Sequence, residues 1–263
     1  MKPILMKCFL ALLLCFFPLI INAQELQLVW SDEFDYEGLP DSTKWNYETG
    51  LVRNNESQYY TDHRLENARV EDGKLIITAR KEPYEGAEYT SASLNTKKTF
   101  NFTYGRIEVR ARLPKGRGVW PAIWTLGSNI DSVGWPACGE IDIMEYVGSN
   151  PDTIYANVHT RDYNHNLGTG RGDKIRHEHA SDEFHVFAVD WYHDQLIFSI
   201  EGVPYFACKD NGEGEGAWPF TKPQFLLINL AIGGSWGGQQ GIDDSVFPVE
   251  YQIDYVRIYQ WKE

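Results

Sequence analysis

Three carboxylates alternate with apolar residues in the stretch Gly139-Glu140-Ile141-Asp142-Ile143-Met144-Glu145. On a strand, successive side chains point to opposite faces, so Glu140 and Asp142 share one face while Ile141 and Ile143 take the other. Simple alternation would put Glu145 with the isoleucines. One extra residue, held as a β-bulge around Ile143 or Met144, returns it to the side of Glu140 and Asp142. Acids crowded on one face repel one another, so a chain that keeps three there has a use for them. The chemistry they suit is cleavage of a glycosidic bond by a nucleophile and a general acid. Across the bulge the two glutamate backbones would lie about 13 Å apart. Inward-leaning side chains would close that to about 5 Å, the spacing of retaining hydrolysis. A negative neighbour raises the pKa of the group that must stay protonated. Glu140 is therefore expected ionised and Glu145 protonated at rest, with Asp142 hydrogen-bonded to Glu140 and holding the shared proton. The alternative, a solvated acidic edge strand, does not account for the Ile/Ile/Met opposite face.

Other residues suit a sugar ligand. The chain has nine Trp and fifteen Tyr, and an aromatic ring stacked on a sugar face contributes about 1 kcal/mol if it behaves like other aromatic pairs. Most of these rings must fill the core. Trp120 and Trp124 are four apart and share a face on a regular strand, which makes them candidates for a platform beside the acids. Trp135 and Trp236 sit in Gly-rich loops, where an exposed indole is costly unless it meets a ligand. His159 ends a strand-like run that follows the acidic one. As a neutral imidazole it could hydrogen-bond the acids or a sugar hydroxyl, and a purely structural histidine fits equally well.

The elements that must position these groups are strands. Strand-like runs bounded by Gly, Pro, Asn and Asp recur at Leu75–Ala79, Tyr104–Leu113, Val119–Leu126, Glu140–Tyr146 and Tyr155–Thr160. They continue at Phe184–Trp191, Leu196–Ile200, Val203–Cys208, Phe225–Ile232 and Ile253–Tyr259. The Glu201-Gly202 pair reads as a hairpin turn. Helical periodicity is almost absent after the first segment, no Pro/Ser-rich linker or repeat interrupts the chain, and 263 residues suffice for one large domain. The fold class expected is all-β, a β-sandwich or jelly roll, whose sheet, if bent, offers a face wide enough for a polymer.

Lys2 and Lys7, an apolar run from Cys8 to Ile21, and Asn22-Ala23 before Gln24-Glu25 have the order of a secretory signal, with Ala23 the last residue removed. The run is short for a membrane span, and no later stretch resembles one. Residues 24–263 then form the catalytic domain, secreted, periplasmic or at the cell surface. Losing both lysines takes the formal charge from −13 to about −15, which disfavours nucleic acid and sulfated polysaccharides as partners. Only Cys138 and Cys208 remain, and spacing does not decide whether they pair. No Cys/His cluster has zinc-ligand spacing. The chemistry needs no cofactor.

The chain resembles glycoside hydrolase family 16, in its laminarinase-type branch. The resemblance is carried by Trp30-Ser31-Asp32-Glu33-Phe34, Asn54-Asn55-Glu56, Phe102-Thr103-Tyr104-Gly105-Arg106, Trp120-Pro121-Ala122-Ile123-Trp124, the acidic motif, Asn229-Leu230-Ala231-Ile232-Gly233-Gly234 and Asp254-Tyr255-Val256-Arg257. It implies a curved, concanavalin A-like jelly roll with an open cleft, retaining chemistry, and β-glucans or related galactans as substrates. By position Glu140 resembles the family nucleophile, Glu145 the acid/base and Asp142 the assisting carboxyl. Asn54 and Glu56 resemble loop residues that contact sugar at the cleft rim, although Asn54-Asn55 also suits a turn. Glu33, the Gly73 carbonyl and Asp254 match a structural calcium site of many relatives, and all three are hard oxygen donors. Ser149, Thr160 and Ala92 depart from the usual residues, which bears on linkage preference. The implied activity is a monomeric, secreted endo-β-glucanase cutting β-1,3-glucan or mixed-linkage β-1,3/1,4-glucan. A galactanase, a transglycosylase and a non-catalytic glucan-binding protein are the alternatives.

Overall fold

Alternation of polar and apolar residues assigns strands such as Gly105–Arg112 their layer in the computed structural model, which describes residues 25–262. The expected signal segment, residues 1–23, lies outside the described residues. The strands are β1 (Leu26–Asp32), β2 (Asn46–Tyr47), β3 (Gln58–Tyr60), β4 (Ala68–Glu71), β5 (Lys74–Tyr84), β6 (Ala87–Ser91), β7 (Ser93–Asn95), β8 (Gly105–Arg112) and β9 (Val119–Gly127). After these come β10 (Glu140–Glu145), β11 (Thr153–His159), β12 (Arg171–Arg176), β13 (His185–Trp191), β14 (Gln195–Ile200), β15 (Val203–Lys209), β16 (Gln224–Ile232) and β17 (Val249–Trp261). One sheet runs β15-β14-β13-β8-β17-β5-β6-β3, with β1 added to β17 and β4 to β5. The other runs β12-β11-β10-β9-β16-β7-β2. The all-β sandwich expected from the spacing of the strand-like runs is the architecture observed.

The two sheets bury their facing sides in one core. On β8, Ile107, Val109 and Ala111 point inward while Glu108, Arg110 and Arg112 point out. From the opposing sheet, β9 sends in Val119 and Ile123, β10 sends in Ile141, Ile143 and Met144, and β16 sends in Leu226, Ile228, Leu230 and Ile232. Burying a side chain of this size stabilises the fold by roughly 1.5–3 kcal/mol relative to exposure. That driving force fixes the register, because a one-residue slip would turn each inward set to the outside. On the outward side of the same sheet Ala122, Trp124, Leu126, Cys138, Phe225 and Leu227 form a second, smaller apolar cluster. This outer cluster is the floor on which the acidic residues stand.

Cys138 lies in the outer cluster and Cys208 in the main core, and both are free thiols. No helix among the described residues is long and apolar enough to cross a membrane.

Candidate active site

The acidic strand is the bulged strand that its sequence demands. Against β9, Glu140 pairs with Leu126, Ile141 with Thr125 and Asp142 with Trp124, and the register then shifts so that Met144 faces Ile123 and Glu145 faces Ala122. Against β11, Glu140 pairs with His159, Asp142 with Asn157 and Glu145 with Tyr155, again with a shift after Asp142. Ile143 is the extra residue. It and Met144 both drop into the core, which leaves Glu145 beside Glu140 and Asp142 on the outward face. Gly139 lets the strand start here: its φ is +80°, and a Cβ on it would come within 2.8 Å of Pro219.

Each glutamate is held by an indole. Trp135 Nε1 donates to Glu140 Oε2 at 2.8 Å, and Trp120 Nε1 donates to Glu145 Oε1 at 3.1 Å. Asn157 Nδ2 adds a 2.8 Å bond to Glu145 Oε2. The surroundings set three different acids. Burial, then the charge of Glu145, pushes the Glu140 pKa up to about 7, against the pull of the Trp135 donor. Burial and the charges of both glutamates hold Asp142 well above the usual carboxylate range, and it shares a hydrogen bond with Glu140. Asp142 thus carries the proton of that pair. Burial also raises Glu145, opposed by Asn157 and Trp120, whose N–H groups favour its ionised form.

His159 completes the group. Its Nε2 lies 3.4 Å from Asp142 Oδ2 and 3.8 Å from Glu140 Oε1. These contacts have the spacing of ion pairs, yet burial and then His165 lower the His159 pKa to about 4. The imidazole is therefore neutral at ordinary pH, and the contacts are polar rather than ionic. Buried Asp142 Oδ2 and His159 Nδ1 have no hydrogen-bond partner.

Aromatic rings flank the acids on both sides. Beside Glu145, Trp236 packs edge-on against Trp120 at 5.4 Å between ring centroids and against Tyr155 at 4.9 Å. The turn that carries Trp236 sits directly on Trp120, since a Cβ at Gly237 would come within 2.9 Å of Trp120 Cβ. Beside Glu140, Trp135 packs against His165 at 5.2 Å and His159 at 6.1 Å. Trp124 lies deeper, with the Arg53 guanidinium 4.8 Å from its ring centroid. Trp120, Trp124, Trp135, Trp236 and His159 are thus all brought to the carboxylates.

Asn54 is exposed on its loop, and its carbonyl accepts from Ser235 N at 2.8 Å in the turn that carries Trp236. Glu56 is buried, and its carboxylate accepts from Asn54 Nδ2 (3.2 Å), Gln58 Nε2 (2.7 Å) and Tyr60 Oη (3.1 Å). Tyr60 Oη accepts from Asn229 Nδ2 at 2.9 Å, and Asn229 Oδ1 accepts from Trp124 Nε1 at 2.8 Å. Glu56 therefore anchors a chain of buried hydrogen bonds that ends on the indole of Trp124. The residues not singled out from sequence as site candidates are Asn157, Tyr155, Arg53 and Tyr60. Asn157 and Tyr155 could have been found by stepping back from His159 in twos along its strand. Nothing local marks Arg53.

The expected calcium donors converge by register: Leu75, two residues after Gly73, pairs with Ile253, and Asp32 pairs with Val256. Both carboxylates are already engaged. Arg257 grips Glu33 through two bonds of 3.0 and 2.8 Å, and Arg110 donates to Asp254 at 2.5 Å. Those guanidinium groups take both carboxylate oxygens of Glu33 and only Oδ2 of Asp254.

The family model for glycosyl hydrolases family 16 matches residues 54–257. The beta-glucanase of Rhodothermus marinus is 51% identical over 251 residues, spanning 92% of this chain and 88% of that protein. The X-ray structure of the laminarinase from Rhodothermus marinus has a TM-score of 0.89 at 51% identity, covering 91% of this chain and 99% of that one. A glucan endo-1,3-beta-glucosidase of Cryptopygus antarcticus is 37% identical over 252 residues, 89% of this chain and 92% of that protein. The matched span runs from the Asn54 loop through the three carboxylates to Arg257 on the last strand, so the chain belongs to glycosyl hydrolases family 16.

Proposed function

We propose that this chain is a retaining endo-β-glucanase that hydrolyses β-1,3-glucan, with mixed-linkage β-1,3/1,4-glucan as a further substrate, and that it works outside the cytoplasm after removal of residues 1–23. The observation that carries the mechanism is the bulge at Ile143, which sets two glutamates with unlike hydrogen-bond partners on one face. Glu140 attacks the anomeric carbon as the bond to the departing sugar oxygen breaks, and Glu145 gives that oxygen its proton. Asp142, protonated, donates to Glu140 and disperses its charge until attack. Water then enters where the leaving sugar stood, Glu145 takes its proton, and Glu140 is released. One copy of the chain supplies every group in this sequence.

The substrate reading also draws support from the relatives, whose names concern β-glucans and laminarin. Reducing-sugar release is expected from laminarin first and barley β-glucan second, and not from cellulose, agarose or carrageenan. Hydrolysis of agarose or carrageenan in preference to laminarin overturns the substrate assignment. A proton spectrum in the first minutes should show the β-anomer of the product ahead of the α-anomer. The α-anomer appearing first overturns the two-step mechanism. Mass spectrometry of exported protein should find Gln24 at the new N-terminus.

A further inference from the structure

Two carboxylates and an imidazole converge on the face of the acidic strand. Glu140, Asp142 and His159 each aim one donor atom into a common space, all within 4.8 Å of one another. Asp142 and His159 are at least nine-tenths buried, and Asp142 Oδ2 lacks a hydrogen-bond partner. The separations of His159 Nε2 from Asp142 Oδ2 and Glu140 Oε1 are 3.4 and 3.8 Å. Ligands about 2.0–2.1 Å from a tetrahedral zinc stand roughly 3.3 Å apart. The two separations from His159 thus exceed that spacing by about 0.1 and 0.5 Å. The cluster's composition, one imidazole and two carboxylates, also suits zinc, whereas calcium and magnesium call for oxygen donors alone.

We propose that Glu140, Asp142 and His159 form a binding site for a divalent transition-metal ion of the zinc type, which reversibly blocks the enzyme. The ion occupies the place of the sugar's anomeric centre and ties up Glu140, and chelation restores turnover. No bond to carbon is made or broken. The inhibitory consequence rests on the glucanase reading above, but the binding itself does not.

The test uses the whole folded protein with zinc chloride, in two readouts. Zinc should raise the melting temperature of the wild type and depress laminarin hydrolysis at least tenfold, and EDTA should reverse both. His159→Gln should keep the fold and lose the zinc-induced thermal shift, and its residual hydrolysis should resist zinc about tenfold better than that of the wild type. Calcium at equal concentration should give neither effect. His177→Gln, which alters the histidine pair formed with His185 outside the three-residue cluster, should leave the zinc response intact. A zinc shift that survives in His159→Gln, or one that calcium reproduces, overturns the proposal. A zinc shift without any laminarin hydrolysis to inhibit would instead count against the glucanase reading and leave the site standing.

Discussion

Removing the amide donor of Asn157 should move the alkaline limit of activity upward. Asn157 Nδ2 lies 2.8 Å from Glu145 Oε2 in a part-buried setting, and among the described residues the only other side-chain donor to that carboxylate is Trp120 at 3.1 Å. A hydrogen bond to a charged group contributes about 1.5–3 kcal/mol, and about 1.4 kcal/mol corresponds to one pKa unit. Asn157→Ala deletes a bond made to the ionised form, so the Glu145 pKa should rise by about one to two units. The first chemical step needs Glu145 protonated and Glu140 ionised. In a profile of kcat/KM against pH on laminari-oligosaccharides, the basic limb reports the first condition and the acidic limb the second. The basic limb should shift up by that one to two units while the acidic limb stays, because Asn157 makes no hydrogen bond to Glu140. The second step needs Glu145 ionised, so kcat with a fast-leaving aryl glycoside should fall about tenfold or more near neutral pH. A basic limb that stays in place or moves down, in a variant that melts like the wild type, would refute the assignment of Glu145 as the acid.

Three further outcomes follow from the same geometry. Glu145→Ala should cripple laminarin cleavage far more than cleavage of an activated aryl glycoside, and azide should rescue the latter as a β-glycosyl azide; equal losses with no rescue would count against the acid/base role. Glu140→Gln should stabilise the fold selectively at higher pH. A carboxyl whose folded pKa is raised to about 7 from 4.5 binds a proton more tightly when folded, so its stability contribution is lost as pH rises across that window. The gain over wild type should be roughly 1–3 kcal/mol near pH 8 and close to nothing near pH 4, read from paired denaturation curves. Tyr60→Phe should cost about 1–3 kcal/mol by leaving Asn229 and Glu56 short of a partner, and should raise KM for laminarin with little change in kcat as Trp124 loosens; an unchanged KM would mean that Trp124 is not held by this chain of bonds.

What could be seen in the sequence depended on whether one face of a strand is wet. Strands such as β8, with inward Ile107, Val109 and Ala111, announce themselves by alternation. The short pieces β2, β3 and β7 and the polar edge strand β12, Arg171–Arg176, carry no such pattern and were not foreseen. The last strand is longer than Ile253–Tyr259 because its two ends have separate partners, β5 at Val249–Ile253 and β1 beyond Asp254. At the site, the bulge was legible because three acids and three apolar residues can be sorted to opposite faces in only one way. The bonds from Glu56 through Tyr60 and Asn229 to Trp124 were not, because they join residues 169 and 105 positions apart that meet only when β16 lies between β9 and the first loops. The role of Glu56 therefore had to wait for the three-dimensional arrangement.

The two indole N–H bonds to the glutamates have an optical consequence. An indole's emission responds to the charge at its nitrogen, and Trp135 and Trp120 each touch a different carboxylate of the working pair. Ionisation of Glu140 is thereby written into the light from Trp135, and that of Glu145 into the light from Trp120. Replacing one indole at a time by phenylalanine would isolate each channel as a difference spectrum against the remaining tryptophans. The protein then serves as its own pH electrode at the two places where protons move, readable in real time and without a label while the substrate is being cut.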